Sequence, residues 1–357
     1  MSTNTVNNNI LVCPLNWGLG HATRAIPIIE AALEKGYNPI IASDGDALVL
    51  LKKQFPQLQY IELPALRIKY GKGLFAYFQF CLSIPFIINW ILKDHKKIKE
   101  ITQSIPLCLI ISDNRWGIWH QHIKSVFITH QIMVKMPWML KWMEYPVFRI
   151  QQWVLRHFNE IWTPDDAHLS HNLSGDLSHS FKPKVKHSFI GTLSQFHNMH
   201  GTNTSEYEIA VILSGPEPQR TYFETAILKQ LSSLSFKTII VGGKIADKRH
   251  EHFAHITYTS FANREELHRI IMSSNVIICR SGYTSIMDLI ELQKPAILIP
   301  TPSQTEQVYL AQWLSAKNWF LTYKQKDINQ ISESAIIKAQ SLRLPSTEIL
   351  RFTNNIF

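Results

Sequence analysis

The chain has 357 residues, 45% hydrophobic and 18% charged, with a net charge of +9. This composition excludes a disordered chain, and 14 Gly with 17 Pro exclude a collagen-like or low-complexity array. At roughly 150 residues per domain the length predicts two domains, each able to bury a full core. The charge is uneven: residues 1–190 hold 20 basic and 13 acidic side chains, against 16 and 14 in the remainder. A negatively charged partner is therefore expected at the first half.

Cys13, Cys81, Cys108 and Cys279 lie far apart, and no CxxC or Cys/His ligand spacing occurs. The expectation is free thiols in a reducing compartment, with no structural zinc. The N-terminus, MSTNTVNNNI, has neither a basic stretch nor an apolar core of a secretory signal. The expected location is cytoplasmic.

Short apolar runs alternate with helical patterns. Strands are predicted at Asn9–Leu15, Pro39–Ser43, Leu58–Leu63, Leu107–Ser112 and Ser125–Thr129, with helices at Ala22–Lys35 and Asp46–Phe55. Such continuous apolar strands between helices indicate a parallel sheet covered on both faces. The stretch Leu74–Leu92 carries no charge and is long enough to span a bilayer. It contains Gln79, Ser83, Pro85 and Asn89 and lies between strands of one sheet. A core helix, or one leaning on a membrane surface, is the expectation. Met133–Phe158 interleaves Trp138, Trp142 and Trp153 with Lys135, Lys141, Arg149 and Arg156. That mixture suits a membrane interface, and equally a Trp-rich core with a solvated basic face.

The second half repeats the rhythm. Strands are predicted at Glu208–Leu213, Thr238–Val241, Val276–Cys279, Ala296–Ile299 and Trp319–Tyr323. Helices are predicted at Gln219–Leu231, Glu265–Met272, Thr284–Leu292 and Glu306–Ser315. Gly191–Ser205 has no periodicity and reads as the linker, between domains 1–190 and 206–357. The fold class is α/β, with two doubly wound Rossmann-like domains facing a cleft lined by strand C-termini.

Five strand-end loops carry chemistry. Asn16–Arg24 places Gly18, Gly20 and His21 where a helix opens, suited to close backbone approach and proton transfer. Asp113, and then His130 with Gln131, follow two further strands; each has a binding or catalytic reading and a helix-capping one. Ser214, Gly215 and Arg220 occupy a Pro-rich turn that either holds phosphate or is a plain turn. The run Cys279–Asp288 offers Arg280, Ser281, Gly282, Tyr283 and Thr284 at a strand-to-helix turn able to hold a pyrophosphate without metal. Asp288 lies within reach of a diol, and Glu306 with Gln307 opens the next helix.

The spacing of Arg280-Ser281-Gly282, Asp288, Pro295-Ala296 and Glu306-Gln307 resembles the C-terminal domain of the family 28 glycosyltransferases. These include peptidoglycan N-acetylglucosaminyltransferases and galactolipid synthases. Gly18–His21 resembles their acceptor loop. The resemblance follows both domains in order, and is weakest over about 60–190. It implies the GT-B fold and inverting, metal-independent transfer from a UDP-sugar to a lipid or polyprenyl-linked acceptor. UDP-sugar is then a substrate and no cofactor is expected.

By the same resemblance, Ser214 and Gly215 match the first donor loop, and Phe261 the aromatic beside the base. Arg280, Ser281 and Gly282 match the diphosphate turn, Asp288 the ribose acid and Gln307 the sugar-binding glutamine. His21 matches the acceptor-loop histidine. The base is His21 or Asp113. Departures are Ser-Gly-Pro-Glu-Pro-Gln-Arg at 214–220, Asp for Glu at 288, Val308 for a second Gln, and Asn16-Trp17 before the glycines. A UDP-sugar 2-epimerase of the same fold, and a non-catalytic nucleotide-sugar-binding membrane partner, are the alternatives. No RNP, helix-turn-helix or zinc-finger pattern accompanies the pI of 9.3, so no nucleic-acid partner is expected.

Overall fold

The computed structural model describes residues 7–66, 74–201, 204–243, 249–346, 350 and 352, with the side chains of 74–82 outside the description. Two units are present, 1–193 with Phe352, and 194–351.

In the first unit the order is β1 (Asn9–Pro14), α1 (Gly20–Glu34), β2 (Asn38–Ser43), α2 (Gly45–Gln54), β3 (Gln59–Glu62) and α3 (Leu74–Ser104). There follow β4 (Leu109–Asp113), β5 (Lys124–Ile128), α4 (Glu144–Leu155), β6 (Glu160–Thr163), α5 (Asp176–His179) and β7 (Lys186–Phe189). The sheet runs β3-β2-β1-β4-β5-β6-β7 and every pairing is parallel. Ile10, Leu11, Ile110 and Ile111 are fully buried, as strands covered on both faces must be. The strand order reverses between β1 and β4, and there the ends of neighbouring strands diverge to leave room for a ligand.

In the second unit the order is β8 (Tyr207–Ile212), α6 (Gln219–Leu231), β9 (Thr238–Val241), β10 (His250–Phe253), β11 (Ile256–Thr259) and α7 (Arg264–Met272). There follow β12 (Ser274–Cys279), α8 (Tyr283–Glu291), β13 (Ala296–Leu298), α9 (Thr305–Ala316), β14 (Leu321–Thr322) and α10 (Glu333–Ser341). The sheet runs β10-β11-β9-β8-β12-β13-β14, and only β10 is antiparallel. Ile209, Val211, Phe223, Ile278 and Ile297 fill its core.

Strands β6, β7, β10 and β11 escape sequence reading. Each has four residues; Glu160, Lys186, His250 and Glu251 break the apolar runs of β6, β7 and β10, and the uncharged β11 is too short to show alternation. The uncharged stretch from Leu74 forms one helix of 31 residues with Pro85 inside it. Among the described residues no helix is long and apolar enough to cross a membrane. Cys13 and Cys279 are buried free thiols, and burial pushes the Cys279 thiol up to about 12. Cys108 is free and half-buried, and Cys81 lies outside the described side chains.

Candidate active site

In the first unit the chemistry gathers where β1, β4 and β5 end. β1 and β4 pair in register up to Pro14 and Asp113, so Asp113 stands beside the turn that leads into α1. Gly18 takes a left-handed φ of +75°, and a Cβ there would touch nothing within 4 Å. Asn16 anchors the turn: its amide donates to Asp44 Oδ2 at 3.2 Å, and its carbonyl accepts from Ala47 N at 3.3 Å. No side chain caps α1 and no acid lies in its first turn.

His21 and Arg24 are three residues apart on α1 and share a face. Arg24 Nε donates to Asp113 Oδ2 at 2.6 Å, and Arg24 Nη2 donates to Asp113 Oδ1. His21 Nδ1 is 3.0 Å from Asp113 Oδ1 and 2.7 Å from Arg24 Nη2. A guanidinium only donates and a carboxylate only accepts, so Nδ1 serves Asp113 when protonated and Arg24 when not. Arg24 Nη1 donates to His130 Nδ1 at 3.3 Å, which places the proton of neutral His130 on Nε2.

Arg24 and Asp113 are buried, while the His21 side chain keeps 17% of its surface exposed. Burial raises the Asp113 carboxyl, but Arg24 and His21 outweigh it and hold it far below the usual carboxylate range. Burial and then the Arg24 charge hold His21 below the ordinary imidazole value, against the opposite pull of Asp113. Of the two candidate bases, Asp113 has its oxygens committed to Arg24 and His21. Gln131 holds the loop through its backbone: its N–H donates to Thr129 Oγ1, and its carbonyl accepts from Gln151 Nε2.

Behind this site lies a second buried ion cluster that sequence reading missed. Arg115 donates to both oxygens of Asp94 at 3.0 and 2.9 Å, to Asp44 Oδ1 at 2.7 Å and to Pro64 O at 2.8 Å. Asp44 is the residue that holds Asn16, so the cluster reaches the glycine turn directly.

In the second unit the predicted residues again meet at strand ends. Ser214 and Gly215 follow β8, Phe261 follows β11, Arg280–Gly282 follow β12, and Thr301 follows β13. Gly215 has a φ of +100°, and a Cβ there would lie 3.9 Å from Thr301 Oγ1. Gln307 is buried, and its Oε1 accepts from Thr301 N at 2.9 Å. Ser281 Oγ donates to Gln307 O at 2.8 Å, which ties the β12 turn to α9. Gly282 is the N-cap of α8, which has no side-chain cap and no acid in its first turn. Tyr283 is buried in the core, whereas Thr284 and Glu306 are half-buried at the helix starts.

Three predicted donor contacts are committed elsewhere. The Arg280 guanidinium, expected on a diphosphate, turns inward. It donates to Ile299 O, Pro300 O, Gln219 O and Gln325 Oε1, and stacks over Phe223 at 4.3 Å. Each of these acceptors is a backbone or amide carbonyl, and Arg280 Nε is buried without a partner among the described residues. Burial without an acid lowers it to about 10. Arg220 pairs with Glu217 and donates to Gly243 O at 3.0 Å. Asp288, expected on a ribose, is buried; it accepts from Ser194 Oγ at 2.7 Å, Gln195 N at 3.2 Å and Gln195 Nε2 at 2.9 Å. Those two partners belong to the stretch read as linker. Among the described residues no group of three or more His, Cys, Asp or Glu is arranged to hold a metal ion.

Residues 219–346 match the model described as the glycosyltransferase family 28 C-terminal domain. A stretch of 66 residues is 33% identical to a UDP-N-acetylglucosamine--N-acetylmuramyl-(pentapeptide) pyrophosphoryl-undecaprenol N-acetylglucosamine transferase of Nitratidesulfovibrio vulgaris. That alignment spans 18% of this chain and only 18% of the relative's length. Among solved structures, the glycosyltransferase of kitacinnamycin is similar at a TM-score of 0.64 and 11% identity, covering 94% of this chain and 90% of that one. The spinosyn rhamnosyltransferase SpnG complexed with thymidine diphosphate is similar at 0.61 and 13% identity, covering 96% and 99%. MurG of Acinetobacter baumannii is similar at 0.51 and 12% identity, covering 95% and 96%. The fold is of the GT-B type, with two Rossmann-like α/β units.

Proposed function

We infer that the chain is a family 28 glycosyltransferase that moves a hexose or N-acetylhexosamine from a UDP-sugar to the hydroxyl of a lipid or lipid-linked acceptor. The observation that carries the reading is the His21–Asp113 pair at the strand ends of a first unit, in a chain whose residues 219–346 match the family 28 C-terminal domain. The acceptor is assigned to the first unit, at Gly18, Gly20, His21, His130 and Gln131. The donor is assigned to the second, at the loops of Ser214, Gly215, Phe261, Ser281, Gly282 and Gln307.

The reaction is a single displacement with inversion. His21 donates its Nδ1 proton to Asp113, which leaves the Nε2 lone pair free to take the acceptor's hydroxyl proton. Asp113 is a positioning residue: it fixes the tautomer and balances the imidazolium that forms. The acceptor oxygen bonds to the anomeric carbon as the bond to UDP breaks. The N–H groups and positive end of α8 receive the charge developing on the diphosphate, so the reading requires no cation.

The first unit also presents the surface for a lipid acceptor. Phe86 and Leu92 of α3, Trp138 and Trp142 of the turn before α4, and Trp153 of α4 are exposed. Lys141, Arg149 and Arg156 accompany them in sequence. Bulky apolar and indole groups with nearby cations suit the headgroup region of an anionic membrane, where the enzyme would act peripherally.

The test is a melting-temperature panel with UDP, dTDP, GDP, ADP and NAD, followed by transfer from labelled UDP-sugars into membrane lipid extracts. A nucleotide at ~100 times its Kd adds about 2.7 kcal/mol, which is visible as a raised Tm. The expected result is a rise with UDP, together with label incorporation that His21→Ala abolishes. No rise with any nucleotide and no incorporation would overturn the reading.

A further inference from the structure

A second polar pocket lies in the first unit, away from His21. It is a cavity of about 350 Å³ lined by His95, Lys99, Thr102, Gln103, Trp119, His120, Gln121 and His122. Its walls are the last turns of α3, which lead into β4, and the loop that leads into β5. It therefore borders the starts of the strands whose ends carry Asp113 and His130. Five residues of strand, roughly 16 Å, separate the two sites.

The lining has a clear chemical bias. It includes one ammonium and three imidazoles, with hydroxyl and amide groups between them and no carboxylate. The two acids adjoining the lining in sequence are paired, Asp94 with Arg115 and Glu100 with Lys97. His122 N donates to His120 Nδ1 at 3.3 Å, so neutral His120 carries its proton on Nε2 and is a donor there. The ring of Trp119 forms a rigid floor, 4.2 Å from His95 on one side and stacked at 4.2 Å on His157 on the other. Burial and the charge of Lys99 both disfavour protonation of His95 and His120, and His122 adds to this at His120. The imidazoles are thus neutral hydrogen-bonding groups beside the one ammonium of Lys99, and no carboxylate of the lining balances it.

We propose that this pocket binds a phosphate group, as a free phosphate or monoester or as the phosphodiester headgroup of an anionic lipid. Lys99 supplies the charge, and His120 Nε2, Thr102 and the amides of Gln103 and Gln121 supply directed hydrogen bonds. The lipid source has structural support. His157 meets Trp153 edge-on at 6.2 Å, and Arg156 lies over that indole at 4.9 Å. Through Trp119 the pocket is therefore packed against the exposed end of α4. The proposal does not depend on the glycosyltransferase reading.

The experiment compares the full chain with Lys99→Glu, His120→Ala and, as a charge-matched control in the second unit, Lys338→Glu. Soluble binding is read by calorimetry with inorganic phosphate and glycerol 3-phosphate. Lipid binding is read by flotation with phosphatidylcholine vesicles, with and without phosphatidylglycerol. Saturable phosphate binding weakened at least about tenfold in the two pocket variants, and kept in the control, supports the site with a soluble source. Phosphatidylglycerol-dependent flotation lost in the two pocket variants, and kept in the control, supports it with a lipid source. Unchanged behaviour of both pocket variants in both assays would overturn the proposal. So would equal losses in Lys99→Glu and Lys338→Glu with His120→Ala unaffected, because that is the signature of net charge alone.

Discussion

Arg24 is the side chain on which the first site turns. It touches His21, Asp113 and His130, and it is buried. Its charge lowers the proton affinity of His21, so His21 is free to accept a proton below the usual imidazole midpoint. The acid limb of the pH–rate profile should accordingly fall below about 6.5, the unperturbed imidazole value. Arg24→Met removes the cation, so the limb should move to higher pH; a limb that stays in place would remove His21 from the role of base. His21→Ala should lower kcat by about 10²–10⁴ with the UDP-induced rise in Tm retained.

Arg115 has a structural role by comparison. Arg115→Met leaves Asp94 and Asp44 buried without a counter-charge, at a cost of about 3–5 kcal/mol in urea unfolding. His21 and Asp113 were legible as strand-end residues. Arg24 carried only the signal of its spacing, three residues after His21 on one helix face. The Arg115 cluster had none, because it joins side chains from positions 44, 94 and 115 that only the sheet order brings together.

Among the elements, α8 combines a predicted feature with an unpredicted one. Its N-terminus stands where the strand-to-helix turn was expected, because Cys279 ends a buried strand and Gly282 caps the helix. Its Asp288 is instead engaged by Ser194 and Gln195. Burial raises Asp288 to about 6, although those hydrogen bonds pull the other way. The folded state then holds a proton that the unfolded chain releases near pH 4. Stability should therefore fall as pH rises from about 4 to about 6 and level off above, by roughly 3 kcal/mol. Asp288→Asn should flatten that decline in Tm against pH; an unchanged slope would assign it to other groups.

The inward turn of Arg280 was not legible for a similar reason. A guanidinium beside a helix N-terminus suits an anion and suits strand-end carbonyls equally, and the sequence does not say which lies nearer. Strands β6, β7, β10 and β11 were missed because four residues are too few to show a period, and charge further breaks the apolar pattern of β6, β7 and β10.

At the scale of the molecule, five of the seven strands were legible in each unit, while the three redirected donor side chains, Arg220, Arg280 and Asp288, all belong to the second. The first unit interposes α3 and the Trp-rich segment, whose hydrophobicity read as core or as membrane interface with equal force. Phe86 at 71%, Trp138 at 86% and Trp142 at 71% exposure place those three side chains outside the core. The paired variant Trp138→Ala with Trp142→Ala should reduce flotation with anionic vesicles several-fold and leave UDP binding unchanged. Equal flotation would place lipid contact elsewhere.

Those indoles and the apolar ridge of α3 also have a colloidal consequence. Water must wet them whenever no lipid is present, at about 25 cal/mol for each Å² of apolar surface. Two copies of the chain can relieve that cost by covering one another. Sedimentation in detergent-free buffer should show self-association that grows with concentration, and mild detergent should dissolve it. Handling of the purified protein is thus governed by how far these apolar side chains of the first unit are kept from water.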